Sequence, residues 1–184
     1  MSRILWLVLE TLGSLLSVAC VLRAYAHRVH LNPRNPISQF VSALTDWLVL
    51  PLRRLVAPTR SMDWASLIAG ALVALLTAFL FYVVVGGVLA PNPGHVLFLA
   101  AVWLVRWTVW LVIGLVIVQA ILSWVNPYAP LAPAIQQLTQ PFLAPIRRVV
   151  PLIGGVDLSP LVLIIALQVV LMIVDPSVLP GLLR

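Results

Sequence analysis

The sequence has no lysine, only one cysteine and few charged residues of any kind. Charged residues make up 9% of its 184 residues, whereas soluble globular domains have roughly 25%. The single cysteine, Cys20, excludes an intramolecular disulfide framework. All 11 basic residues are arginines, and only five acidic residues oppose them, which gives a net charge of +6. Because 62% of the chain is hydrophobic, this charge is not spread over a soluble face, and we expect no nucleic-acid partner.

The residue patterns of common catalytic and cofactor sites are also missing. The sequence has no nucleophile–histidine–acid arrangement and no pair of carboxylates placed for acid–base chemistry. Gly154-Gly155 does not match a phosphate-binding loop. His27 and His30 are three residues apart, but no third ligand lies near them in the sequence, which argues against a metal or haem site. We therefore expect a protein that is not an enzyme and that binds no cofactor or metal.

Long apolar runs, in contrast, are abundant. Four runs can each supply the roughly 20 residues that a spanning helix needs. They are Ile4–Leu22, Ala65–Ala90, Val96–Val125 and Ser159–Leu179. Buried helices of soluble proteins rarely run this long without charge, so we predict an all-α membrane protein with four transmembrane helices. The third run would be about 45 Å long as a helix, so it must tilt in, or protrude from, a hydrocarbon core of roughly 30 Å.

Arginine is distributed unevenly among the links between these runs. The first link contains Arg23, Arg28, Arg34, Arg53, Arg54 and Arg60. The third link contains Arg147 and Arg148, and the short second link, residues 91–95, contains none. Positively charged loops stay on the cytoplasmic side during membrane insertion. We therefore predict a multi-pass protein of the cytoplasmic membrane, with both long loops in the cytoplasm and both termini outside.

The two halves of the chain are related by a shift of 94 positions. Residues 32–67 align with residues 126–161 without a gap. The identical pairs include Asn32/Asn126, Pro33/Pro127, Leu44/Leu138, Thr45/Thr139, Pro51/Pro145, Arg53/Arg147, Arg54/Arg148 and Asp63/Asp157. We interpret this as a tandem duplication. Residues 1–90 form unit one and residues 91–184 form unit two, each with two spans.

In each unit an amphipathic segment joins the two spans. Residues 37–50 place apolar side chains at helical spacing between Pro36 and Pro51, which we expect to bound a helix. The counterpart in unit two is residues 133–145, which we expect Pro141 to break. Both segments are too short and too polar to span, so we predict that they lie in the membrane interface.

Each amphipathic segment is followed by two consecutive arginines and then by an aspartate. The arginines are Arg53, Arg54, Arg147 and Arg148. Asp63 and Asp157 are well placed to cap the helix that follows. The arginines are candidates for contacts with anionic lipids or partner proteins, since basic residues near a negatively charged leaflet are attracted to it. Two alternatives remain, namely that they only set the topology, or that Arg147 or Arg148 interacts with Asp157.

Two charges fall inside predicted spans. Arg106 has Trp103 and Trp110 on the same helix face, where they could stack on its guanidinium. In the duplication Arg106 aligns with Leu12, which places it at a depth similar to that of Glu10. We predict an intramembrane Glu10–Arg106 pair that joins the two units, because charges within spans usually face a partner. The alternatives are that Arg106 lies at the interface within an aromatic belt, or that it serves transport.

The combined motifs resemble those of the YggT family of small bacterial and plastid membrane proteins. Unit two carries the resemblance most completely, in Asn126-Pro127, Leu138-Thr139, Pro141, Pro145, Arg147-Arg148, Gly154-Gly155 and residues 157–160. Unit one departs from the pattern, with Trp47 after Leu-Thr-x instead of proline and Arg60-Ser61 instead of the glycine pair.

The resemblance implies a protein of the bacterial inner membrane without an agreed biochemical activity. It also implies a link to osmotic or ionic stress tolerance, or to envelope, division or cytochrome assembly processes. The expected function is a scaffold or assembly factor that contacts anionic lipids and unknown membrane proteins. The alternative is an ion pathway, or a transporter modulator, along the seam between the units. Sparse polar residues in the spans favour the scaffold.

Overall fold

A computed structural model describes residues 2–59, 61–150 and 157–175, which form six α-helices and, within these ranges, no strand. The helices are α1 (Ser2–Arg28), α2 (Pro36–Leu55), α3 (Trp64–Val84), α4 (Pro93–Val125), α5 (Ala132–Arg147) and α6 (Ser159–Ile173). Arg60, Gly154-Gly155 and the end of the fourth apolar run lie outside the described residues. The all-α prediction is confirmed for the described part of the chain.

Three of the described helices are long and apolar enough to cross a membrane, namely α1, α3 and α4. The 33 residues of α4 make a helix about 50 Å long, so the predicted excess length is present. The 15 described residues of α6 make a helix about 22 Å long, shorter than a hydrocarbon core of roughly 30 Å. The fourth span therefore stays a prediction.

Small residues allow α1 and α3 to pack closely. The Ser17 hydroxyl donates a hydrogen bond to the Gly70 carbonyl across the interface, at 3.0 Å. At Gly13 an added Cβ would collide with the hydroxyl of Thr77. The small-residue face of α3 is a buried packing surface. Its residues are Gly70, Ala74 and Ala78.

The two units meet where α3 packs against α4 and where the end of α1 packs against α4 and α5. The Tyr25 hydroxyl donates to the Leu138 carbonyl at 2.7 Å, and Gln137 Nε2 donates to the Val29 carbonyl at 2.9 Å. An apolar cluster fills the seam between these contacts. Its buried members are Ala26, Leu31, Leu115, Ala134, Ile135 and Leu138.

Both amphipathic helices run through prolines that we expected to end or break them. α2 continues past Pro51 and α5 continues past Pro141, so these two predictions are wrong. A proline removes one helical hydrogen bond, but tertiary packing compensates for this loss. Val49 precedes Pro51 and is fully buried, and so are Leu138 and Leu143 on either side of Pro141.

The end of α1 forms a Schellman motif. The Leu31 N–H donates to the Ala26 carbonyl at 2.9 Å, and the His30 N–H donates to the His27 carbonyl at 3.1 Å. His30 takes the left-handed position of the motif, with φ of 56°, a position that favours glycine. The motif turns the chain out of α1 and towards α2.

Candidate functional site

In each unit an arginine–aspartate ion pair joins the end of the amphipathic helix to the start of the next helix. In unit one, Arg53 Nη2 lies 2.5 Å from Asp63 Oδ2. In unit two, Arg147 Nε and Nη2 each lie 2.8 Å from Asp157 Oδ2. The two residues are ten positions apart in both units. We call these two ion pairs the clamps, because they hold α2 to α3 and α5 to α6.

Asp63 confirms the predicted cap at the start of α3. Its Oδ1 accepts a hydrogen bond from the Ser66 backbone N–H at 3.3 Å, and its Oδ2 accepts from the Ser66 hydroxyl at 2.7 Å. The side chain of Asp63 has no exposed surface. Burial of this carboxylate is tolerated because Arg53 and Ser66 together satisfy it with charged and neutral donors.

Asp157 lies one residue before the N-cap position of α6. The capping position of α6 is Leu158, which offers no side-chain acceptor. Asp157 Oδ1 instead accepts a hydrogen bond from the backbone N–H of Ser159 at 2.9 Å, so it still satisfies a donor at the start of α6. The side chains of Asp157 and Arg147 are 30% and 39% exposed, so this clamp is the more open of the two.

The carboxylates of both clamps titrate below the ordinary aspartate range. Burial by itself would raise the pKa of Asp63, but hydrogen bonds from Arg53 and Ser66 and the positive charge of Arg53 outweigh it and lower the pKa. Burial would likewise raise the pKa of Asp157, but hydrogen bonds from Ser159 and Arg147 outweigh this effect and lower the pKa. Both clamps are therefore charged at neutral pH.

A fully buried threonine holds the middle of each amphipathic helix to the first span of its unit. Thr45 accepts a hydrogen bond from Arg23 Nη1 at 2.8 Å, and the same Arg23 nitrogen lies 2.8 Å from Asp46 Oδ1. In unit two the hydroxyl of Thr139 hydrogen-bonds the side chain of Gln119. The alignment of the two halves already showed a threonine at both positions. Their partners were not predicted, because Arg23 and Gln119 do not occupy equivalent positions.

The four arginines predicted to face lipids or partners divide into two kinds. Arg53 and Arg147, the first of each pair, are held in the clamps. Arg54 and Arg148, the second of each pair, are exposed. The interaction between Arg147 and Asp157, one of the alternatives given above, is therefore present in the structure. Arg54 and Arg148 are the members of the two pairs that remain available for a ligand.

Arg106 is paired with Asp175 and not with Glu10. Arg106 Nη1 lies 3.7 Å from Asp175 Oδ2. Glu10 is exposed on α1 and forms no ion pair within the described residues. The predicted Glu10–Arg106 pair is therefore wrong. The physical reason is that α6 packs on α4 and brings a nearer carboxylate, just after its last turn, to the guanidinium.

An aromatic cluster lies at the opposite end of α3 from the clamp. The ring centroids of Trp6, Phe81 and Trp103 are 5.1 to 5.7 Å apart. Along α3, Asp63 and Phe81 are about 27 Å apart, close to the roughly 30 Å thickness of a hydrocarbon core. Aromatic residues at one end of a span and charges at the other are typical of its two interfaces. Because Arg106 lies next to this cluster in sequence, the arrangement favours the aromatic-belt alternative.

No metal-binding cluster is present among the described residues, since no three His, Cys, Asp or Glu side chains gather there. His27 Nε2 lies 3.0 Å from the Thr59 carbonyl. His30 lies in the turn after α1, so the two histidines do not share a helix face.

The two tandem units agree with a comparison of the sequence against known protein families. The CCB3/YggT family matches residues 2–84 and residues 98–178, one segment in each tandem unit. The chain belongs to the CCB3/YggT family. The resemblance seen in the motifs is therefore confirmed. Within this CCB3/YggT chain, the Pro-x-Arg-Arg motif and the aspartate ten residues after its first arginine build each clamp.

Several bacterial relatives extend over most of the chain. The uncharacterized protein YggT of Escherichia coli (strain K12) is 33% identical over 170 residues, which cover 89% of this chain and 85% of the relative. The uncharacterized protein PA0392 of Pseudomonas aeruginosa is 34% identical over 173 residues, or 91% of this chain and 86% of the relative. An uncharacterized protein in the proC 3' region of Vibrio alginolyticus is 32% identical over 162 residues, 88% of each chain. No solved structure matches the chain.

Proposed function

We propose that this CCB3/YggT protein is a membrane scaffold or assembly factor whose binding surface is formed by α2 and α5. The observation that carries the proposal is the repetition of the clamp, which fixes an amphipathic helix to the following helix in both units. Side chains on a helix held in this way keep a fixed geometry, which a docking surface needs. The proposal includes no catalytic step.

The exposed side chains of these helices are suited to the interface. Arg54 and Arg148 are exposed, and so are the apolar rings of Phe40 and Trp47 on α2. Exposed arginines beside exposed aromatic rings are typical of helices that lie in the headgroup region. The arginines are available to anionic lipid headgroups or to an acidic segment of a partner membrane protein.

The interior of the protein supports a scaffold over an ion pathway. The seam between the units is filled by apolar side chains. Two threonine hydroxyls of the spans are satisfied within their own helices, since Thr77 donates to the Val73 carbonyl and Thr108 donates to the Leu104 carbonyl. A conducting route needs polar groups that face a water-filled passage.

The proposal also includes the membrane placement. In this placement α6 serves as the fourth span, which gives two spans in each unit and puts both termini outside the bacterial inner membrane. The arginine-rich loops would then face the cytoplasm, where α2 and α5 could hold partners. Such a scaffold would act in osmotic or ionic stress tolerance, or in envelope or division processes.

Photo-crosslinking in living cells tests the scaffold. A photoreactive amino acid is placed at Arg54, at Arg148 or, as a control, at Leu97, which is exposed on the membrane-spanning helix α4. We expect discrete protein adducts at the two arginine positions and none at Leu97. An added Asp63→Asn change should remove the adduct at position 54 and leave the one at position 148. Equal adducts at all three positions would contradict the proposal.

Ion flux through the purified protein in liposomes tests the alternative. The scaffold predicts that K⁺, Na⁺ and H⁺ fluxes do not exceed those of empty vesicles. Flux that exceeds the background and falls in an Arg106→Leu variant would instead make the protein a transport protein.

A further inference from the structure

A polar cavity of about 250 Å³ lies between α1 and α2, beside the unit-one clamp. Its polar lining consists of Arg23, His27, Ser38, Ser42 and the two clamp residues. Arg53, one of these, leaves its Nε–H buried and without a hydrogen-bond partner in the described part of the chain. A buried donor without a partner is destabilising, so an oxygen of a bound ligand would stabilise this arrangement.

An apolar groove of about 940 Å³ adjoins the cavity along the same two helices. The cavity and the groove share Leu22, Ile37 and Val41 in their linings. The remaining lining of the groove is also apolar and includes the exposed rings of Phe40 and Trp47. Its volume is in the range of small-molecule sites, roughly 300 to 1,000 Å³. A polar chamber joined to an apolar groove has the two-part chemistry that an amphiphile requires.

The charges around the cavity favour an anionic headgroup. In the described first loop and the adjoining end of α1, arginines outnumber aspartates by five to two. They are Arg23, Arg28, Arg34, Arg53 and Arg54 against Asp46 and Asp63. The acids neutralise Arg23 and Arg53 only, so the surroundings of the cavity keep an excess of positive charge.

The duplication provides an internal comparison for the polar cavity. At the positions 94 residues later, unit two carries Ile117, Ile121, Ala132 and Gln136 where unit one carries Arg23, His27, Ser38 and Ser42. The clamp is therefore common to both units, whereas the charged and hydroxyl lining belongs to unit one. The clamp does not need this lining, since unit two forms a clamp without it.

We propose that unit one binds a single phospholipid with an anionic headgroup. Its phosphate occupies the polar cavity at Arg23, His27 and Arg53, and an acyl chain lies in the adjoining apolar groove. This site lies between α1 and α2 and is separate from the exposed arginines of the proposed scaffold surface. The phospholipid site does not depend on the proposed scaffold function.

Native mass spectrometry of the delipidated full-length protein, titrated with phosphatidylglycerol or phosphatidylcholine, tests the site. The main variant, Arg23→Ile with Asp46→Gln, carries the two residues that unit two has at these positions, Ile117 and Gln140. It removes the ion pair as a whole, so the net charge does not change. A second variant, Val18→Trp, narrows the groove, which Val18 lines.

We expect one phosphatidylglycerol per protein in the wild type and weaker retention of phosphatidylcholine. Arg23 lines the cavity and Asp46 does not, so the main variant removes one cation next to the lipid phosphate and should bind phosphatidylglycerol about fivefold more weakly. Val18→Trp should also lose the lipid. The control Arg3→Gln, which removes an exposed charge at the start of α1, should bind as the wild type does.

Several outcomes would overturn the proposal. Equal binding by the wild type and the main variant would show that the cavity does not hold the headgroup. Equal loss in Arg3→Gln would show diffuse attraction of the lipid to many arginines. A dimer that disappears in Val18→Trp, without a change in lipid binding, would show that a second copy covers the groove. If the main variant does not fold, His27→Ile, another unit-two replacement, and Val18→Trp decide between these outcomes.

Discussion

Replacing Asp63 with asparagine removes the charge from the most buried carboxylate of the described residues and leaves Arg53 without its ionic partner. Asp157→Asn is the matched change in unit two. The two aspartates share a motif, a sequence distance to their arginine and a position at the start of a helix. They differ mainly in exposure, which is zero for the side chain of Asp63 and 30% for that of Asp157.

This difference in exposure sets the expected magnitudes. Breaking a fully buried ion pair costs about 3 to 5 kcal/mol of unfolding free energy. Because the Arg53 side chain is 31% exposed and water can solvate part of it, we expect about 2 to 3 kcal/mol for Asp63→Asn. Asp157→Asn should cost no more than about 1 kcal/mol, the range of exposed pairs. For a chain of this length the first change should lower Tm by roughly 5 to 10 °C.

Thermal unfolding in detergent, followed across pH, measures both the size and the origin of the effect. Because the pKa of Asp63 is lower in the folded protein than the ordinary 3.8, its stabilisation is fully present above pH 3.8. It is lost as the pH falls through the lower folded value. The Tm difference between the wild type and Asp63→Asn should therefore be constant from neutral pH down to about pH 4.5 and shrink at lower pH.

Equal Tm losses for Asp63→Asn and Asp157→Asn would refute the link between burial and clamp strength. A Tm difference that fails to shrink in acid would show that the amide alters packing and that the ion pair is not the source. The double variant Arg53→Gln, Asp63→Asn should lose less than the sum of the two single changes, since both remove one interaction.

Three further predictions concern stability. Gly13→Ala should lower Tm, because its Cβ would collide with Thr77, whereas Gly114→Ala, which has open space around the new Cβ, should not. His30→Gly should raise the unfolding free energy by about 1 kcal/mol, since the left-handed position strains a side chain; a loss measured by thermal unfolding would contradict this. Glu10→Gln should change the unfolding free energy by less than about 0.5 kcal/mol. A larger loss would indicate that Glu10 has a stabilising role within the membrane.

The sequence predicted the helices and the Asp63 cap far better than the partners of the polar side chains. Long apolar runs and the aligned halves were sufficient to place α1, α3 and α4 and the cap at Asp63. We expected Pro51 to end a helix and Pro141 to break one, but both helices continue. Burial of apolar side chains on the neighbouring turns outweighs the hydrogen bond that each proline removes. The partner of Arg106 could not be found by shifting one half onto the other. Asp175 reaches it through the packing of α6 on α4, which the alignment does not encode.

The contrast between the two units separates what the fold requires from what one unit has added. Arg53, Arg147 and their aspartates are kept at the same positions and make the same contact, so the clamp belongs to the architecture. Arg23 and His27 have isoleucines as counterparts, yet both units form the amphipathic helix and the clamp. In unit one Arg23 has structural partners in Thr45 and Asp46, whereas unit two holds its amphipathic helix through Thr139 and Gln119 without a charge. A charge at this position is therefore not needed to hold the helix, and the phospholipid proposed for unit one would account for it.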